Sequence, residues 1–379
     1  MKQNTFSYNF IQKFTDNWYN VETNNVDLIR FPESLSFWEK ARRIVKYTLL
    51  KFFVKRGFVY FHKETLSKVI KKLEFIFINS NRIEETYNLL DNDSSRNLMV
   101  HLLLYRVLGS DKVRLPLNNP DYWNNFNIIQ HQLLEKSNSF AVKSLSGQLN
   151  LYKLHDIGFP LSLNAHPLNI VCTFMLEQYC YKNQEKSIQA EQGDFVIDAG
   201  GCWGDTALYF AHKVGHNGKV FCFEFSESNL TILRQNIIIN PYLKNIIEIV
   251  PKAIWDKPGE DLFFSEQGSG TSLVYDQGGK SLVSTESIDN FVEKFNIEKV
   301  DFIKMDIEGS ELNALKGAEK TIKTFKPKLA ISVYHQDDDI IKIPNYLNKL
   351  NIGYKFFFDH FTIHREETVL FAFVEQQIN

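Results

Sequence analysis

The chain has 379 residues, of which 44% are hydrophobic and 14% aromatic, and its formal net charge is −2. This length allows two domains, or one domain with a large extension, around a sizeable core. The near-neutral charge argues against nucleic acid as the main partner, because phosphate binding usually requires an excess of basic residues. No stretch of about 18 uninterrupted apolar residues is present, so no transmembrane helix is expected.

The N-terminus and the cysteines favour a reducing compartment. The first residues, MKQNTFSYNF, lack a basic region followed by an apolar one, so no secretory signal is predicted. None of the four cysteines lies in a Cys-x-x-Cys pair, which argues against a zinc site or a disulfide framework. We therefore expect a reduced, cytoplasmic protein.

Residues 1–150 are predicted to form a mainly helical N-terminal extension, with breaks at Pro32, Pro116 and Pro120. Within it, the segment from Trp38 to Lys63 carries eight Lys or Arg against one Glu, interleaved with apolar side chains. The favoured interpretation is a helix that covers one face of the following domain. The alternatives are a basic amphipathic helix at the inner membrane face, an acceptor site or a dimer contact.

Residues 151–379 are predicted to form an α/β domain, because apolar strands alternate there with helical segments. The strand candidates are Phe195–Ala199, Val220–Phe225, Ile246–Pro251, Asp301–Met305, Leu329–Tyr334, Tyr354–Asp359 and Thr368–Val374. The last two leave no room for a helix between them, so they must pair as a hairpin with one strand antiparallel. A seven-stranded mixed sheet of this kind resembles that of Rossmann-like methyltransferases. The segment Gly268–Ser272 is predicted to form turns between short strands.

The most informative motif follows the first of these strands. Asp198 ends the strand, Gly200, Gly201 and Gly204 form a glycine-rich turn, and a helix opens at Asp205. Ligands of doubly wound folds bind at such turns, outside the carboxyl ends of the strands. The dinucleotide fingerprint needs glycines at i, i+2 and i+5, and counted from Gly200 this spacing fails. The pattern Asp-x-Gly-x-x-x-Gly instead resembles the first motif of class I methyltransferases, which use S-adenosyl-L-methionine.

Four further assignments complete the predicted cofactor site. Glu224 ends the second strand, where a carboxylate can accept both ribose hydroxyls, and the alternative is a solvated strand-end glutamate. Asp198 is expected to fix the turn by accepting backbone N–H bonds. Asp205 either caps its helix or offsets the ammonium at the methionine end of the cofactor. Lys252 and Ala253 follow the third strand, where such folds contact adenine.

The second motif is the acidic run after the strand at residues 301–305. Asp306, Glu308 and Glu311 lie within six residues, and carboxylates crowded in this way need a metal, another cation or a helix N-terminus. A helix that begins at Ser310 accounts for Glu311. It does not account for Asp306, which should face the cofactor cleft.

These residues resemble the FkbM family of methyltransferases over about residues 190–374. The matching segments are Ile303–Ala318, Ala330–Gln336 and Glu367–Ala372; Leu89–Asp91 with Ser95 and Arg96, and Phe174–Tyr181, are similar to longer members. The resemblance implies a class I methyltransferase whose relatives mostly O-methylate hydroxyls of sugars, glycans or polyketide-type products. Residues 359–365 depart from the family pattern, which leaves the acceptor open.

Methyl transfer to an alcohol requires an aligned acceptor and a general base. His335 is the first candidate base, because an unperturbed histidine titrates near neutrality; its alternative is a packed strand-end histidine. Asp306 is the second candidate. His360 and His364 are weaker candidates for substrate contacts, with surface positions as the alternative. Asp306, Glu308 and His335 would be the ligands of a divalent metal, which is not the favoured interpretation.

The sequence therefore predicts an S-adenosyl-L-methionine-dependent O-methyltransferase with a carbohydrate or glycan acceptor. The second hypothesis is a non-catalytic glycan-binding or scaffold protein on a methyltransferase fold, which the intact Gly200, Gly204, Glu224 and Asp306 oppose. The glycine spacing opposes a nicotinamide oxidoreductase. An RNA methyltransferase would normally carry a basic surface.

Overall fold

The computed structural model describes residues 5–22, 25, 27, 63–135, 142–144, 147–184, 186–265, 267–274 and 281–375. The chain packs as two compact units, Met1–Tyr122 with His360–Glu366 and Trp123–Asp359 with Glu367–Asn379. The predicted boundary at residue 150 separates two sequence patterns, whereas the packing boundary follows Tyr122. Except for Lys63, the predicted amphipathic segment lies outside the described residues.

The N-terminal unit is helical. Its helices are α1 Phe6–Trp18, α2 Lys63–Ile78, α3 Ser80–Leu89 and α4 Asp93–Leu108, and α5 Pro120–Ile128 begins in it. The side chain of Asn92 caps α4 by accepting the N–H of Ser95 at 2.8 Å, as this residue type commonly does. Helix α4 buries most of its apolar side chains, and the buried Phe6 and Phe10 of α1 stack with ring centroids 5.4 Å apart. Apolar helix faces thus hold this unit together.

The described residues of the second unit form four sheets. In chain order its strands are β1 Val142–Ser144, β2 Gly147–Lys153, β3 Ser162–Ala165, β4 Tyr181–Lys182, β5 Ser187–Ile188, β6 Phe195–Ala199, β7 Lys219–Phe223, β8 Ile247–Val250, β9 Ala253–Ile254, β10 Asp261–Ser265, β11 Ser272–Val274, β12 Ser281–Glu286, β13 Phe302–Met305, β14 Lys328–Ser332, β15 Tyr354–His360 and β16 Thr368–Val374. Its further helices are α6 Pro167–Asn169, α7 Asp205–Val214, α8 Glu227–Ile238, α9 Ile288–Lys294, α10 Glu311–Lys316, α11 Glu319–Phe325 and α12 Asp339–Lys349. Two π-helices, Ile129–Leu133 and Ile170–Met175, and short 3₁₀ turns connect them.

The main sheet has seven strands in the order β15-β16-β14-β13-β6-β7-β8. Strands β6, β7, β8, β13 and β14 are parallel, and β16 runs antiparallel to β14. This confirms the predicted mixed sheet. Its central strands are apolar runs, as expected for a sheet covered on both faces. After β6 the chain forms β7 on one side of it, and it later returns to form β13 on the other side. Such a reversal of strand order opens a ligand crevice between β6 and β13.

A smaller four-stranded sheet, β11-β10-β12-β9, lies between β8 and α9 in the sequence. The 3₁₀ turn Gly268–Gly270 joins β10 to β11, as the prediction of turns between short strands required. Among the described residues, no helix is long and apolar enough to cross a membrane.

Candidate active site

The glycine-rich turn packs directly against the end of β13. Gly200 has φ +86°, and a Cβ atom there would lie 2.0 Å from the carbonyl oxygen of Asp306. The backbone N–H groups of Gly200 and Gly201 both donate to the carbonyl of Phe223, at 3.0 and 2.9 Å. Only glycine fits this conformation and this close approach. The turn therefore joins the ends of β6, β7 and β13 at one point.

A buried ion pair lies beneath the turn. Lys304 Nζ lies 3.0 Å from Asp198 Oδ1, and both side chains are inaccessible to solvent at 1% and 0% exposure. The hydroxyl of Thr206 donates to Asp198 Oδ2 at 2.8 Å, and Lys304 donates to the carbonyl of Gly200 at 2.7 Å. Asp198 thus fixes the turn through side-chain partners, where the sequence led us to expect backbone N–H groups. Burial lowers the pKa of Lys304, but attraction to Asp198 and to Asp306 raises it above its ordinary value.

Asp205 is the first residue of α7, after Gly204, which has φ +85°. Its carboxylate accepts hydrogen bonds from Asn169 Nδ2 at 3.1 Å and from the hydroxyl of Thr173 at 3.0 Å. Burial raises the pKa of Asp205 above its ordinary value. The carboxylate therefore ties the helical segment at residues 167–175 to the start of α7, and a contact with a cofactor ammonium stays a prediction.

Glu224 follows β7 and is buried, so it is not the solvated glutamate of the alternative interpretation. Its Oε1 accepts the N–H groups of Phe225 and Ser226, both at 2.7 Å, and its Oε2 accepts from Asn229 Nδ2 at 3.3 Å. Burial raises the pKa of Glu224 to about 7 against the opposing effect of these hydrogen bonds. The carboxylate is thus held in one orientation at the end of its strand.

A cleft with about 530 Å³ of empty space, its open mouth included, runs along these strand ends. It brings together the predicted Gly200, Glu224, Lys252, Ala253, Asp306 and Glu308. The lining of the cleft does not include Asp198, Gly201, Gly204 or Asp205. These residues stabilise the turn without lining the cleft.

The cleft is also lined by residues to which sequence reasoning gave no binding role, Phe225, Asn229, Ser269, Thr271 and Leu273, and by Ile254 next to the predicted Lys252 and Ala253. Asn229 Nδ2 donates to the carbonyl of Gly268 at 3.0 Å, which fixes the 3₁₀ turn of the smaller sheet beside Glu224. The glycines and serines of that turn were the available signal.

Asp306, at the end of β13, is held by two tyrosines that the sequence analysis did not identify. Tyr179 donates to Oδ2 at 2.8 Å and Tyr334 donates to Oδ1 at 3.1 Å. Tyr334 is also 3.2 Å from Glu367 Oε2. Burial raises the pKa of Asp306, but attraction to the charge on His335 outweighs it, so the net shift lowers that pKa.

His335 lies among three carboxylates, and its side chain is only 7% exposed. Nδ1 is 2.9 Å from Glu311 Oε1, whereas Nε2 is 3.4 Å from Asp306 Oδ1 and 3.6 Å from Glu308 Oε2. Burial lowers the pKa of His335, but these carboxylates outweigh it and raise the pKa to about 10. A ring with this pKa keeps its proton at neutral pH. The role of general base therefore stays a prediction and would require that proton to be displaced.

His360 and His364 belong to the N-terminal unit, and both are buried, so neither is a surface residue. His364 Nε2 accepts the N–H of Asp27 at 3.0 Å, and its Nδ1 lies 3.2 Å from the hydroxyl of Tyr105. These bonds, made within the N-terminal unit, give His364 a structural role. Contact of either histidine with a substrate stays a prediction.

Residues 188–356 match the family model described as Methyltransferase FkbM domain. This segment belongs to that family. The chain is also similar to the crystal structure of Methyltransferase FkbM from Methylobacillus flagellatus, with 19% identity, a TM-score of 0.50, and coverage of 79% of this chain and 60% of that chain. The chain therefore spans less than two thirds of that relative, and the similarity confirms the predicted methyltransferase fold.

Two further solved structures show lower similarity. A SAM-dependent O-methyltransferase from Thermotoga maritima has 15% identity and a TM-score of 0.32, covering 51% of this chain and 63% of that chain. An O-methyltransferase from Bacillus cereus in complex with SAH has 13% identity and a TM-score of 0.33, covering 55% and 80%. No match was found among curated protein sequences.

Proposed function

We propose that this FkbM-domain protein is an S-adenosyl-L-methionine-dependent O-methyltransferase that methylates a hydroxyl group of a sugar or glycan. The observation that carries the proposal is one cleft shared by the glycine turn at Gly200, the oriented carboxylate of Glu224 and the acidic run at Asp306. It lies where doubly wound folds bind their ligands.

The residues that line the cleft suit the cofactor. Glu224 presents a carboxylate that can accept the ribose hydroxyls, and its hydrogen bonds fix the carboxylate beforehand. Phe225, Ile254 and Leu273 supply apolar surface for an adenine ring beside Lys252.

The bound cofactor would supply an electrophilic methyl group: the new C–O bond forms as the C–S bond breaks, and its electron pair stays on sulfur. The protein has to align the acceptor oxygen, exclude water and take up the hydroxyl proton. Asp306 and Glu308 both line the cleft, and both carboxylates approach His335 Nε2. Their carboxylates can accept hydrogen bonds from acceptor hydroxyls and so orient them.

Charge supports a neutral, hydroxyl-rich acceptor. Asp306, Glu308 and Glu311 surround His335, and Glu367 lies against Tyr334. This excess of carboxylates would repel the phosphates of a nucleic acid. A sugar offers several hydroxyl donors to the same carboxylates.

Titration calorimetry with S-adenosylhomocysteine tests the cofactor assignment. We expect micromolar binding by the wild type, and its loss in Gly204→Arg and Glu224→Ala. The exposed Glu227, in the first turn of α8, provides a matched control, because Glu227→Ala removes a carboxylate outside the cleft. Wild-type protein that binds NADH but no S-adenosylhomocysteine would overturn the proposal, and protein that binds neither would favour the scaffold hypothesis. Transfer of a labelled methyl group to sugars, glycans and RNA then tests the acceptor class.

A further inference from the structure

The arrangement around His335 points to a site for one divalent cation. We propose that His335 Nε2, Asp306 and Glu308 bind this ion beside the cofactor cleft, and that Glu311 positions the imidazole for it. Among the described residues, Asp306, Glu311 and His335 offer potential ligand atoms within 4.8 Å of one another. Glu308 is not in that group, and we assign it as a ligand from the 3.6 Å between its Oε2 and His335 Nε2. The ion's role in catalysis rests on the proposed function, whereas the site itself does not.

Glu311 determines which ring nitrogen of His335 faces the ion. Nδ1 is at hydrogen-bond distance, 2.9 Å, from Glu311 Oε1, which also accepts the N–H of Ile307 at 2.9 Å. Attraction to this buried carboxylate keeps a proton on Nδ1, so the ion would bind at Nε2 and displace to solvent the proton that Nε2 carries at neutral pH. Metal-binding histidines commonly have such a carboxylate behind them. Glu311 is therefore a positioning residue.

The distances from His335 Nε2 to the two other carboxylates suit ligands of one ion. Nε2 lies 3.4 Å from Asp306 Oδ1 and 3.6 Å from Glu308 Oε2. Among the described residues, neither buried ring nitrogen of His335 makes a hydrogen bond of normal geometry, but Nδ1 lies closer to its carboxylate, at 2.9 Å. Two atoms that each bind one ion at about 2.1 Å lie roughly 3.0–3.4 Å apart at octahedral to tetrahedral angles. The observed spacing is too long for strong hydrogen bonds and close to that of two ligands of one ion.

The cation site is accessible from the cofactor cleft. The exposed fraction of the side chain rises from 7% at His335 to 19% at Asp306 and 34% at Glu308, so the site opens toward the cleft that both carboxylates line. Glu308 reaches it from a left-handed backbone conformation with φ +54°. Such conformations are unfavourable for a residue other than glycine and cluster at functional sites. Three protein ligands leave coordination positions for an acceptor oxygen that enters from the cleft.

One nitrogen and two carboxylate ligands suit Mn²⁺, Co²⁺, Zn²⁺ or, more weakly, Mg²⁺. Bound to such an ion, the acceptor hydroxyl would lose its proton more readily. The released proton would pass to solvent through the open side, and the alkoxide would take the methyl group.

Cobalt(II) provides a direct test, because its visible absorption reports protein ligands independently of activity. We expect metal-free wild-type protein to bind one Co²⁺ per chain with visible bands. We expect His335→Ala, Asp306→Asn and the partly exposed Glu308→Gln to weaken binding at least tenfold. Glu311→Gln should weaken it by about 10–100-fold, as loss of a carboxylate behind a metal-binding histidine typically does. Glu293→Gln, at an exposed carboxylate on α9, is the matched control and should bind as the wild type does.

Binding of S-adenosylhomocysteine to the same metal-free samples separates the two proposals. Cobalt spectra that are unchanged in both Glu308→Gln and His335→Ala would overturn the cation site, even where S-adenosylhomocysteine binds. Cobalt binding at the site without S-adenosylhomocysteine binding would overturn the proposed function and leave the cation site in place. Melting curves confirm that each variant is folded.

Discussion

The backbone carbonyl of Asp306 occupies the space that any side chain on Gly200 would need. A Cβ at Gly200 would lie 2.0 Å from that oxygen and 3.0 Å from its carbon. The glycine turn after β6 and the acidic run after β13 are the two motifs found in the sequence, and they meet here without an intervening side chain. Because backbone atoms of Asp306 form the contact, rearrangement of side chains cannot relieve the clash that a substitution at Gly200 would cause.

Gly200→Ala should therefore abolish S-adenosylhomocysteine binding and destabilise the fold by more than the roughly 1–3 kcal/mol of backbone strain alone. Gly259→Ala is a matched control, because Gly259 has φ +77° but no atom within 4 Å of the position that a Cβ would take. Thermal unfolding and calorimetric titration of both variants measure the difference. Equal destabilisation of the two would show that the contact with Asp306 contributes nothing.

Lys304→Met should destabilise the second unit by about 3–5 kcal/mol, because it leaves the buried carboxylate of Asp198 without its cation. Lys320→Met breaks the exposed Lys320–Glu293 pair and should change stability little, since solvent screens such pairs. Urea denaturation of the two variants provides the comparison. A Lys304→Met variant as stable as Lys320→Met would contradict the assigned role of the buried pair.

The affinity for S-adenosylhomocysteine should depend on pH through Glu224. Burial raises the pKa of this carboxyl to about 7, so it gains a proton as the pH falls below 7 and loses acceptor capacity for ribose hydroxyls. Affinity should therefore rise as the pH increases from 6 to 8, and the trend should be absent in Glu224→Gln. Calorimetric titration across this range tests it. The same pH dependence in Glu224→Gln would assign the effect to another group.

His364→Ala should destabilise the N-terminal unit by about 1–3 kcal/mol, because it removes the buried acceptor of the Asp27 N–H. His216→Ala, at an exposed histidine, is the control. Once an acceptor is identified, its KM separates this role from the predicted substrate contact. A raised KM with unchanged stability would support the substrate contact and contradict the structural role.

The main sheet was predictable because each strand carries its own signal. Two of the seven predicted strands, Phe195–Ala199 and Thr368–Val374, have the observed boundaries. The others differ by one or two residues at one or both ends, which is normal where helices and strands fray. A strand buried on both faces is recognisable from local apolar content alone.

The supporting contacts were not predictable, because they join residues that are distant in the sequence. In the sequence around it, Lys304 is one polar residue in an apolar strand. Its partner Asp198 belongs to a different strand. Tyr179 and Tyr334 carry no local sign that both donate to Asp306. Short strands around Gly268–Ser272 were predicted, but their pairing into a separate sheet was not, because they are short and partly polar.

Asn229 connects three segments through one side-chain amide. It accepts from Trp203 Nε1 at 3.1 Å and donates both to Glu224 and to the Gly268 carbonyl. Substitutions that share one partner are seldom additive in their effects. Redesign of this cleft for a different nucleoside would therefore fail if the segments that contain Trp203, Glu224 and Gly268 were mutated one at a time. A library that varies residue 229 together with its three partners is the route by which new cofactor selectivity can be obtained.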